Sequence, residues 1–157
     1  MERYNFFGYE VEVDLETTQR WYAKARGWPG KDVGSRNFRA FVRKGQLPAF
    51  VLEYLDKLGI PPRKATYILR TGADPSDHDR NGYSISYRIA GNILSEVEWK
   101  ARQVTLDGPI VIEPKGWCLH EPSPRCAPKF PEPHFDLEFK ISIPWVLDEP
   151  WVQIGRF

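Results

Sequence analysis

From Thr66 onward the apolar residues of this chain change from helical spacing to strict alternation, and that switch limits its possible folds more than any other feature. A period of two puts successive side chains on opposite faces of a strand, whereas a period of about 3.6 places them on one stripe of a helix. Ile85, Tyr87 and Ile89 alternate with Ser84, Ser86 and Arg88. Val97, Trp99 and Ala101 alternate with Glu96, Glu98, Lys100 and Arg102. Phe135, Leu137, Phe139, Ile141 and Ile143 are predicted to face inward, with Asp136, Glu138 and Lys140 outward. Such segments build an antiparallel sheet with one buried and one solvated face.

The N-terminal part supplies the helices. Tyr4 to Val13 reads as a half-buried strand, and Asp14 then caps a helix running to about Arg26, where Gly27-Trp28-Pro29-Gly30 ends it. Ser35 is the expected cap of a second helix to about Lys44. Pro48 suits the first turn of a third, which Gly59 and Pro61-Pro62 stop. Thr66 to Arg70 is the next strand, followed by a polar loop from Ala73 to Gly82 in which Asn81-Gly82 signals a hairpin turn. A break is expected at Gly91-Asn92, a turn at Asp107-Gly108, and one long proline-rich loop from Pro114 to Pro133. The predicted fold is therefore α+β, one domain over residues 1–157, an antiparallel sheet packed against N-terminal helices.

Charge and composition narrow the function. The chain has 22 basic and 21 acidic residues, a balance that argues against general nucleic-acid binding. The start lacks the apolar run of a signal peptide and nothing approaches membrane-spanning length, so a cytoplasmic protein without membrane contact is expected. With 2 cysteines, a disulfide framework is not expected.

Cys118, His120, Cys126 and His134 form the only gathering of soft metal ligands. Two thiolates and two imidazoles satisfy zinc chemically, but the spacing C-x-H-x5-C-x7-H matches no common finger. Buried thiols and ordinary loop histidines explain the same letters, so the leading expectation is no cofactor. Cys118 with His120 as base also defines a cysteine-dependent enzyme as one alternative. Asp77, Asp79, Asn81 and Gly82 match the opening of a calcium loop, yet Arg88 stands where the closing glutamate belongs. Arg36, Arg39 and Arg43 line one side of the second helix, a stripe suited to phosphates or simply to solvent. The carboxylate pairs Glu96/Glu98 and Asp136/Glu138 read as cross-strand charge partners.

What stands out is the aromatic content, 6 Trp, 7 Tyr and 9 Phe, together with 14 prolines. Trp28, Trp117, Trp145 and Trp151 all fall beside Pro or Gly in predicted loops or in their immediate neighbourhood. The leading expectation is a non-enzymatic binding or interaction protein with a protein or small-molecule partner, using Arg36, Arg39, Arg43, Trp117 and Trp145. A zinc-stabilised module with nucleic-acid contact is the other alternative.

Several further stretches carry a resemblance. Val11 to Tyr22 followed by Ser35-Arg36-Asn37-Phe38, Leu52 to Pro61, and Leu137 to Phe139 with Pro144 to Pro150 resemble a family of small uncharacterised bacterial proteins. In that family a C-x-C-x2-C-R-N-F element follows the first helix. Here Lys31-Asp32-Val33-Gly34-Ser35 replaces its cysteines, so the resemblance implies the fold but no metal or redox site at that point. It implies no activity.

Overall fold

A computed structural model describes residues 1–97, 102–105, 108–111, 115–120, 127 and 129–150. Strands β1 (Glu2–Phe6) and β2 (Tyr9–Val13) lead into helices α1 (Leu15–Lys24), α2 (Val33–Arg43) and α3 (Ala49–Leu58). A single 3-10 turn, Pro62–Lys64, precedes β3 (Tyr67–Asp74) and the long β4 (Asp77–Ser95). Then come β5 (Arg102–Thr105), β6 (Gly108–Val111), β7 (Gly116–Leu119) and β8 (His134–Pro144). Six strands form one antiparallel sheet in the order β1-β2-β4-β8-β7, with β3 sharing an edge of β4, while β5 and β6 pair separately. The α+β architecture with N-terminal helices packed on the sheet is as expected.

Four local readings are corrected. Tyr4 to Val13 is two strands, because Phe7 and Gly8 both take positive φ and turn the chain, with Asn5 Oδ1 accepting from the Gly8 amide. Asn81-Gly82 is no turn: Asn81 pairs with Ala73 on one side and Ile143 on the other, and its side chain is fully buried. The reversal falls instead after Asp74, whose Oδ1 accepts from the Ser76 amide at 2.9 Å. Gly91 does not break its strand: β4 runs on through it, passing from its pairing with β3 to its pairing with β2. A Cβ there would lie 2.0 Å from the Glu12 carbonyl oxygen. Finally, the expected loop from Pro114 contains β7, paired with β8.

The helices begin and end on side chains. Asp14 accepts from the Thr17 amide and hydroxyl as anticipated. On α2 the cap is Asp32 rather than Ser35, which occupies the first turn and donates both its amide and hydroxyl back to the Asp32 carboxylate. A carboxylate, with two acceptor oxygens, can take both bonds at once. α3 starts after Pro48 and stops at Gly59 in the left-handed conformation.

The helices cover the sheet face that carries Tyr83, Ile85, Tyr87, Ile89 and the odd-numbered residues of β8. Phe139 meets Phe50, Tyr54 and Tyr87, and Phe38 meets Tyr83. Each such side chain contributes roughly 1.5–3 kcal/mol on burial. The buried phenols are satisfied by backbone: Tyr83 donates to Gly34 O, Tyr87 to Pro62 O and Tyr22 to Arg88 O. The second face departs from expectation. Asp136, expected outward, is buried, and so are Ser84, Ser86 and Arg88 on the same face, with Arg88 Nε 2.9 Å from Asp136 Oδ1. Alternation reports which residues share a face, not whether that face meets water.

Candidate functional site

The segment linking α1 to α2 has no regular structure, yet it is held firmly. Gly27 has positive φ, and a Cβ on it would stand 3.0 Å from Arg63 O, so the linker lies close against the turn before β3. The Trp28 indole donates to Ser35 Oγ at 3.2 Å, and Ser35 in turn is fixed by the α2 cap. Partial burial works against the charged form of Asp32, but the Ser35 hydroxyl and amide outweigh it and hold its pKa below the ordinary carboxylate value. Arg39 Nη1 donates to the carbonyls of Trp28 and Gly30 at 3.2 and 2.7 Å. The Trp28 ring packs edge-on against Tyr67, with centroids 5.1 Å apart. Trp28 is thus clamped by a helix cap, an arginine and a strand.

A cleft opens on either side of this ring. One, about 350 Å³, is lined by Trp21, Ala25, Arg26, Trp28, Lys64 and Ala127, among others. Trp21 is steadied by Tyr22 and Phe130, at centroid distances of 5.0 and 4.8 Å. Lys64 is only 8% exposed, and its ammonium donates to the Tyr22 carbonyl in the last turn of α1 at 2.6 Å. The other cleft, about 380 Å³, is lined by Trp28, Asp32, Gly34, Tyr67, Leu69 and Arg70 with their neighbours. Leu69 is 46% exposed there. Both volumes lie near the lower end for small-molecule sites, in surroundings mixing aromatic and a few polar groups.

The residues singled out from sequence are placed elsewhere or put to other uses. Arg36 forms a two-pronged pair with Glu149, and Arg39 serves the Trp28 clamp, while Arg43 is exposed at the end of α2. Trp145 donates its indole N–H to Glu149 O and lies under the Arg70 guanidinium. Trp117 sits on the second sheet face with the Lys140 ammonium 4.9 Å from its ring centre. Beside it, burial raises the pKa of Glu138 against the opposing bond from the Ser86 hydroxyl. Trp151 lies outside the described residues.

The Cys/His cluster is dispersed as far as it is described. Cys118 is buried opposite Leu137, and burial pushes its thiol up to about 12, which removes the thiolate a nucleophile needs. His120 Nε2 pairs with exposed Glu96 at 2.6 Å, whereas His134 Nδ1 meets Pro131 O. Cys126 lies outside the described residues. Among the described residues no three Cys, His, Asp or Glu side chains come together as metal ligands. This holds also for Asp77 and Asp79, whose supposed companion Asn81 is buried in the sheet. Among the described residues no helix is long and apolar enough to cross a membrane.

Comparison with protein-family models, with curated proteins and with solved structures finds no match. Trp28 was legible as a tryptophan between glycine and proline. Lys64 and the facing Trp21 were not, because nothing in their local spacing distinguishes a cleft wall from a helix stripe.

Proposed function

We propose that this chain is a non-enzymatic binding protein whose recognition surface is the pair of clefts flanking Trp28. The observation that supports it is the clamp: Trp28 is half-buried, held at its indole nitrogen and its carbonyl, and leaves a concave space on each side. A ring fixed before binding loses little freedom on contact, which is how a preorganised aromatic anchor gains affinity. The ligand in this reading is a small molecule or a segment of another protein met in the cytoplasm. Nucleic acid is disfavoured, since Arg36 and Arg39 of the helix stripe are engaged within the molecule.

The test is a screen of neutral aromatic fragments against the isotope-labelled full chain, read at the indole N–H resonances. Binders are expected to shift Trp28 first, and Trp28→Ala is expected to weaken them about tenfold, or ~1.4 kcal/mol, with far-UV circular dichroism unchanged. Shifts confined to Trp117 or Trp145, or affinity indifferent to Trp28→Ala, would refute the assignment.

A further inference from the structure

Resting on that reading, we infer that the cleft between Trp21 and Trp28 takes a small organic anion, a carboxylate or phosphate carried on a flat apolar body. Two cations, Arg26 and Lys64, line this cleft, and among the described residues no acidic one does. On β4 the buried guanidinium of Arg88 is matched with an acid, Asp136, at 2.9 Å. Lys64 differs. It is more than nine-tenths buried, and among the described residues its ammonium has one hydrogen bond, to the Tyr22 carbonyl, and no carboxylate in ion-pair range.

A buried ammonium without a counter-charge is destabilising, because its lost hydration is not repaid by a partner. The C-terminal end of α1 offsets part of that through its partial negative charge, which explains why Lys64 reaches Tyr22. It supplies no formal charge, and the ammonium has three donors. Arg26 stands exposed beside the same opening and forms no hydrogen bond or ion pair with the described residues. The walls are tryptophan, so the favoured ligand joins an anionic head to a flat apolar body. The neighbouring cleft has Asp32 in its lining and offers no such match.

The experiment titrates the full chain with indole-3-acetate, with indole-3-acetamide as its neutral counterpart, and with phenyl phosphate, following the Trp21 and Trp28 indole resonances. Indole-3-acetate is expected to bind at least tenfold more tightly than the amide and to weaken as salt is raised. Arg26→Gln, an exposed change that spares the core, is expected to erase most of that preference, and Lys64→Met to do the same. Phenyl phosphate separates a general anion site, where it binds comparably, from a carboxylate site, where it does not. Equal binding of acid and amide would overturn the anion preference and leave the recognition surface standing. Failure of all three probes, while neutral fragments still shift Trp28, would overturn it too. Absence of any ligand response at Trp21 and Trp28 would sink both readings.

Discussion

Asp74 shows how much a single side chain can gather from distant parts of the chain. Its carboxylate accepts from the Ser142 hydroxyl at 2.6 Å and from the Ser76 hydroxyl and amide, and these bonds lower its pKa to about 2. Because the folded value lies below the unfolded 3.8, the carboxylate stabilises the fold fully above about pH 4 and loses that effect as pH falls toward 2. Asp74→Asn is therefore expected to lower the urea midpoint at pH 7 and to narrow its deficit against the wild type between pH 4 and pH 2.5. A deficit constant over that range would contradict the assignment. The turn role of Asp74 was hidden by Asn81-Gly82, a stronger turn pair by composition that the sheet places in a central strand. Asp32 was missed as a cap for a related reason, since Ser35 three residues on has equal capping chemistry and only the helix start tells them apart.

At the level of elements, β4 decides the shape of the sheet. Its first half pairs with β3 and β8, its last residues with β2, and Gly91 is the joint between them. With φ at +146° and no room for a Cβ against Glu12, this position requires glycine. Gly91→Ala is expected to cost about 2 kcal/mol or more, measured by chemical denaturation, with loss of hydrogen-exchange protection concentrated in β1 and β2. Uniform loss across the sheet would mean that this joint is not the weak point. The N-terminal helices and β8 were readable because caps, glycine stops and five alternating apolar residues are local marks. β7 was not, since four residues flanked by prolines become a strand only beside a partner.

At the scale of the whole molecule, the central strands are enclosed on both faces, and the buried Arg88–Asp136 pair joins β4 to β8 on the side away from the helices. Arg88→Met or Asp136→Leu alone is expected to destabilise by about 3–5 kcal/mol, as each strands a buried charge. The double variant is expected to lose much less than the sum, and single losses under about 1 kcal/mol would show the pair to be solvated. The sequence by itself determined the α+β class, the three helices with their stops, and which residues alternate along β4 and β8, because periodicity and cap chemistry act over a few neighbouring residues. Only the tertiary structure decided that the second sheet face is covered, that Arg36 and Arg39 bond to other parts of the chain, and that Lys64 lines one cleft with Trp21 and Trp28. Those outcomes depend on which distant surfaces meet, and burial and counter-charge are properties of that meeting rather than of any stretch of chain.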